Sequence, residues 1–188
     1  MLENEKELVI KSKNGDSQAF GLLYDHYVRR IYNFIFYKTY QKETAEDLTS
    51  QTFFKALNSI ASVDSQRSFS SWLYKIAQNT VIDHYRRDRH HADIDDIWDI
   101  SDDSPESDFV KGLDTDRDFA KVKKYLSKLP QLERDIIMMR VWEEMPYKEI
   151  AEVVGKSEVN CKVIYSRSIK KLRDMVPLSV LLLLLLKG

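Results

Sequence analysis

Two stretches of this chain set polar side chains at spacings suited to reading nucleic acid. The first is Tyr147-Lys148-Glu149-Ile150-Ala151-Glu152-Val153-Val154-Gly155-Lys156-Ser157. Ile150, Ala151 and Val154 fall on one side of a short helix, and Ala151 is small enough to let a second helix cross closely. Gly155 suits the left-handed conformation that ends a helix, and Ser157 suits the N-cap of the next. The helix that follows offers Ser157, Glu158, Asn160, Lys162, Ser166, Arg167, Lys170, Lys171 and Arg173 to a partner. Val159, Val163, Ile169 and Leu172 are expected on its buried or partly buried faces. A sharp turn leading into a basic helix is the pattern of a DNA-binding helix-turn-helix, whose early residues meet base edges and whose later ones meet phosphates. A plain helical hairpin with a solvated basic face is the competing reading.

The second stretch, Trp72 to Arg87, mixes aromatics, amides and cations. Amides read adenine edges, cations hold phosphates and aromatics stack on exposed bases. Trp72, Leu73, Ile76 and Ala77 read as core; Asn79, Arg86 and Arg87 do not. Other chemistries fit poorly. Gly155-Lys156-Ser157 imitates the end of a phosphate-binding loop, but Ile150 stands where that motif needs its first glycine. His84, His90 and His91 near Asp83 lack a metal-ligand spacing and read as a polar helix end. With no nucleophile–base pair, no metal cluster and no cofactor motif, an enzyme is not expected, nor is a cofactor.

These residues need helices to hold them. Phe20, Leu23, Tyr24, Tyr27, Ile31, Phe34 and Ile35 recur at spacings of three and four, which predicts one face of a long helix with Asp16 as its N-cap. Ala45, Leu48, Thr52, Phe53 and Ala56 predict a second helix over about 43–60. A third is expected to start near Ser68 or Ser70 and to carry Trp72, Leu73, Ile76, Ala77, Thr80 and His84. Further helices are expected over 119–127, 130–142, 146–154 and 157–175, with Pro130 at a first helical position. No long stretch alternates with period two, so the expected class is all-α, with two small helical domains joined by a flexible acidic linker.

Charge supports that division. The 188 residues carry 29 Lys+Arg and 30 Asp+Glu. Residues 1–92 hold 13 basic and 11 acidic side chains, 93–118 hold 2 and 11, and 119–188 hold 14 and 8. A uniformly basic DNA binder is excluded, while two basic modules around an acidic tether are not. The expected domains are 1–92, a linker at 93–118, and 119–175, followed by an apolar tail at 176–188. Five glycines and four prolines argue against a loop-rich all-β fold, and the single Cys161 forbids an intrachain disulfide. Met1–Asn14 is too polar for a signal peptide. Val176–Leu186 is too short to span a bilayer, which needs about 20 residues. Packing, partner binding and a peripheral membrane contact stay open for it.

In this order and spacing, the stretches resemble a bacterial extracytoplasmic-function (ECF) sigma factor of the sigma-70 family. The likeness spans about 18–89 and 122–173. Ala45–Leu57 resembles region 2.2, Phe69–Asn79 with Asp83–Arg87 resembles regions 2.3–2.4, Leu129–Arg134 resembles the opening of region 4, and the helix-turn-helix resembles region 4.2. The resemblance implies that Asp47, Gln51 and Phe54 dock on the clamp helices of the RNA polymerase β′ subunit. It implies that Ser68, Trp72, Lys75, Asn79, Asp83, Arg86 and Arg87 melt and read the −10 element, with the loop over Ser62–Phe69 capturing an unstacked base. The −35 element falls to Ser157, Glu158, Asn160, Lys162, Ser166, Arg167, Lys170 and Lys171. It further implies the β flap and an anti-sigma factor as partners, a cytoplasmic location, and a linker directed toward the active-site cleft and RNA exit channel. Lys156, Cys161 and Ile164 depart from the usual family residues, which bears on promoter sequence more than on fold. A stand-alone helix-turn-helix regulator is the alternative.

Overall fold

A computed structural model describes residues 4–64, 68–88, 125–126 and 128–175. The chain divides into two compact units, Met1–Pro105 and Glu106–Gly188. Among the described residues all regular structure is helical. The acidic linker at 93–118, His90, His91 and the tail at 176–188 lie outside the described residues.

In the first unit, α1 (Glu5–Lys13), α2 (Ser17–Thr39), α3 (Lys42–Ser59) and α4 (Phe69–Asp88) form a bundle, with a single 3-10 turn over Ile60–Ser62. The expected helices are present. Asp16 caps α2 by accepting the Gln18 and Ala19 amides at 2.9 and 3.0 Å. Leu23, Ile31, Ile35, Leu48, Leu73 and Tyr74 are fully enclosed, and Phe34 meets Tyr74 edge to face with ring centroids 5.1 Å apart. Tyr24, expected on the inner face, is instead exposed and leans edge-on against Phe53 at 4.7 Å. Trp72 and Ile76, expected in the core, are only half-buried, whereas Leu73 and Ala77 are enclosed.

Helix α1 was not expected. Its single buried apolar residue is Val9, which gives no periodic stripe. Polar ties hold it instead: the Tyr27 hydroxyl donates to the Glu5 carboxylate and the Lys13 ammonium donates to the Val63 carbonyl. Burial, reinforced by Glu5, raises the Tyr27 phenol well above its ordinary range, so it stays a donor.

The second unit holds α5 (Gln131–Val141), α6 (Tyr147–Val154) and α7 (Glu158–Met175). Leu126, Leu129, Ile137, Val141 and Leu172 form one core cluster. Ile150, Val153 and Cys161 are also fully buried. The unit corrects three expectations. Pro130 is the N-cap of α5 rather than its first helical residue. Val154, expected inward, is half-buried, and Val153 takes the inner place. Val159 and Val163, expected inward, are 70% and 39% exposed. The inner stripe of α7 is Cys161, Ser168 and Leu172, whose intervals of seven and four residues put them on one helix face. The thiol of Cys161 therefore occupies a core position, and burial with Glu158 nearby raises its pKa.

Candidate nucleic-acid and polymerase interfaces

The turn between α6 and α7 is built as its residues require. Gly155 ends α6 at φ 67°, in the left-handed region. The Lys156 amide donates to the Ala151 carbonyl at 3.1 Å. Ser157 then caps α7, its hydroxyl accepting the Asn160 amide at 3.2 Å. Gly155-Lys156-Ser157 is thus a helix exit and re-entry, with Lys156 and Ser157 both exposed.

Most of the proposed −35 residues sit on the outside of α7. Glu158, Asn160, Lys162, Ser166, Arg167, Lys170 and Lys171 are all exposed. They are not equally available. Lys162 pairs with Glu158 at 2.6 Å and lies 5.8 Å from the Tyr147 ring centroid. Lys171 pairs with Glu133 of α5 at 2.6 Å, and Ser168 sits 2.8 Å from the other Glu133 oxygen. Lys171 therefore braces α5 against α7. Beside the turn, Arg140 stacks 4.9 Å from the Tyr147 ring centroid, and Tyr147 meets Tyr165 edge-on at 5.7 Å. These contacts fix the start of α6 relative to α7.

On α4, Trp72, Lys75, Asn79, Asp83 and Arg86 follow one another at intervals of three and four residues and so share one helix face. Ser68 stands before that face, its hydroxyl accepting the Ser71 amide at 3.2 Å. Trp72 rests against Phe69 with centroids 5.5 Å apart. Asn79, Asp83, Arg86 and Arg87 are exposed, while Lys75 is half-buried. Residues 65–67 of the loop expected to capture a base lie outside the described residues.

On α3, Asp47, Gln51 and Phe54 lie along one outward ridge. Gln51 donates to Asp47 at 2.7 Å. Phe54 is 67% exposed and Leu57, one turn on, is 48% exposed. Leu57, not among the residues expected on this ridge, extends it; its place three positions after Phe54 was the available signal. The structure also joins two surfaces that the sequence kept apart. Gln51 and Lys55 of α3 line a cavity of about 470 Å³ with Asp83, Arg86 and Arg87 of α4. Lys55 spans it, donating to Thr80 at 3.1 Å and lying 3.6 Å from Asp83. His84, read from the sequence as part of a polar helix end, is half-buried beside Tyr85. Among the described residues, no three metal-binding side chains cluster.

Comparison with known proteins matches each of the two units in turn. The family described as Sigma-70 region 2 matches residues 23–91, and that described as Sigma-70, region 4 matches residues 119–172. The chain is 34% identical over 140 residues to the RNA polymerase sigma factor YlaC of Bacillus subtilis, covering 72% of this chain and 79% of that protein. It is 32% identical over 176 residues to the ECF RNA polymerase sigma factor BldN of Streptomyces coelicolor, covering 91% of this chain and 65% of BldN. The chain thus spans about two thirds of BldN's length. In fold it is similar to CnrH, solved in complex with the cytosolic domain of CnrY, with a TM-score of 0.70 at 21% identity over 92% of this chain and 97% of that one. It is likewise similar to the sigma factor RpoE of Bartonella quintana, solved with the anti-sigma factor NepR, with a TM-score of 0.67 at 24% identity over 82% and 94%.

Proposed function

The chain belongs to the sigma-70 family, in its extracytoplasmic-function group, and from that premise we propose how it works. It binds core RNA polymerase and directs promoter-specific initiation. The observation that carries this reading is the pairing of two modules in one chain: a region 2 bundle with an exposed Phe54–Leu57 ridge, and a region 4 helix-turn-helix.

The apolar ridge of α3, led by Asp47 and Gln51, docks on the β′ clamp helices. A few well-packed side chains near the centre of a contact, large aromatic ones among them, supply most of its affinity, and Phe54 is the candidate here. The outward face of α4 takes the −10 element: Trp72 offers a stacking surface, Asn79 a bidentate amide, and Arg86 and Arg87 phosphate contacts. Drawing one base out of the stack costs a few kcal/mol, which stacking and an enclosing loop offset. On α7, Asn160 and the residues of its first turns face base edges of the −35 element. Arg167 and Lys170 meet phosphates further along. Lys171, held by Glu133, acts as a brace instead.

The residues act by binding and positioning, so the chain contributes no catalysis of its own. A partner of core polymerase works in the cytoplasm, and among the described residues no helix is long and apolar enough to cross a membrane. The β flap is the expected second contact on polymerase, and the domains follow 1–92 and 119–175. Because CnrH and RpoE were solved with CnrY and the anti-sigma factor NepR, an anti-sigma factor is the expected regulator here too. The 93–118 segment, with 2 basic and 11 acidic side chains, suits a path lined by positive charge that RNA later claims.

Capture of core polymerase by the full chain tests the docking, with Asp47→Ala and Phe54→Ala expected to weaken it. A stand-alone regulator would leave polymerase unbound and would instead dimerise on palindromic DNA. Arg167→Ala should weaken −35 binding: uniformly across sequences if Arg167 holds a phosphate, at one position if it reads a base.

A further inference from the structure

Around α7 the residues divide cleanly by direction. Cys161, Ser168 and Leu172 mark the buried side. At 100° per residue, Val159, Val163, Ser166 and Lys170 fall on the side opposite, at intervals of four, three and four. This outward stripe therefore begins with two valines and ends with a lysine. Val159 is 70% exposed and Val163 39% exposed. The charges of the same first turns are already spent on each other, since Glu158 and Lys162 pair at 2.6 Å. The part of the helix that reaches deepest into a major groove thus presents branched methyl groups, flanked by Asn160.

Only one base edge in the major groove carries an apolar group of matching size, the C5-methyl of thymine. Resting on the reading of α7 as the −35 recognition helix, we infer that Val159 and Val163 set promoter specificity by packing on thymine methyls in the −35 element. Ser166 and Lys170, one and two turns further on, carry the same stripe out toward the sugar-phosphate backbone. The valines stay exposed in the free protein because their partner surface is DNA.

The test uses holoenzyme assembled from core polymerase and the full chain. A duplex library randomised across the −35 region is selected for binding, and the best sequence is remade with deoxyuridine in place of each thymidine in turn. Uracil keeps every hydrogen-bonding group of thymine and lacks only the methyl. At two thymines, the change should weaken binding by about fourfold each, equivalent to the roughly 0.8 kcal/mol of one buried methyl. Val159→Ala with Val163→Ala should lose about the product of the two factors, roughly sixteenfold, on thymidine DNA and become insensitive to deoxyuridine. Both sites are exposed, so thermal unfolding of the double variant should match the parent.

Equal affinity for thymidine and deoxyuridine duplexes overturns the inference. So does a deoxyuridine effect that persists undiminished in the double variant. Loss of core polymerase affinity in the variant, without any deoxyuridine effect on the parent, would assign the valines to a protein surface and also overturn it. Failure of the underlying reading shows separately, as selection that yields no preferred −35 sequence, and it removes the inference with it.

Discussion

Truncating Phe54 to alanine separates docking from folding. The ring projects from α3 and is 67% exposed, so the folded chain gains little from it. Full burial of a phenylalanine side chain is worth about 1.5–3 kcal/mol. Two thirds of that remains to be gained on docking, or about 1–2 kcal/mol. Phe54→Ala should therefore raise the Kd for core RNA polymerase by roughly five- to thirtyfold while leaving the melting temperature almost unchanged. Leu57→Ala, at a site 48% exposed, should behave alike with a smaller effect. The control is Leu48→Ala on the inner face of the same helix, where the side chain is fully enclosed. It should cost about 2–5 kcal/mol of stability. Affinity is read by fluorescence titration of labelled chain with core polymerase, and stability by thermal melting followed by circular dichroism. Unchanged polymerase affinity in Phe54→Ala would refute the docking argument. A melting loss as large as that of Leu48→Ala would refute the claim that Phe54 lies outside the core.

Three further outcomes are expected. Gly155→Ala finds open space for its methyl but must hold φ 67°, so it should destabilise the C-terminal unit by about 1–2 kcal/mol, measured by chemical denaturation. Glu133→Ala removes the acceptor shared by Ser168 and Lys171, although Ser168 keeps the Ile164 carbonyl, and should cost about 1 kcal/mol; Lys171→Ala, half-exposed, should cost less, and the reverse order would contradict the shared role of Glu133. Burial, with Arg30 adding to it, lowers the pKa of His26. The unfolded chain then binds the proton more readily, so this contribution is fully present above about pH 6.5 and is lost as pH falls through the lowered folded value. Melting temperatures of the parent should drop over that window more than those of His26→Gln, and parallel curves would remove His26 as the cause.

Much of the fold was legible because the buried side chains of α2 to α4 recur at helical spacing and because Gly155 and Ser157 are strong punctuation. Helix α1 was not legible. One buried valine makes no pattern, and the ties that seat it, Glu5 to Tyr27 and Lys13 to Val63, join residues far apart in sequence. The phase of α7 was read only in part: Leu172 was expected inside and is, with Ile169 partly buried beside it, but its first turns were misread. Val159 and Val163 were expected inside, yet Cys161 and Ser168 share the helix face of Leu172 and take the inner places. The shared outward faces of α3 and α4 were legible as spacings of three and four. Which cations are engaged was not, since Lys171 finds its partner 38 residues away and Lys55 finds Thr80 across the bundle. Net charge followed the same course: the near balance of 29 basic and 30 acidic side chains conceals basic modules on either side of an acidic segment.

Promoter-specific transcription tests the central claim most directly. Core polymerase alone and core polymerase with the purified chain are incubated with fragments of the source genome, and transcript 5′ ends are mapped. The chain should produce new starts that share paired motifs near −10 and −35, and Phe54→Ala should reduce them. Transcription no greater than that of core polymerase alone, on every fragment, would contradict the account.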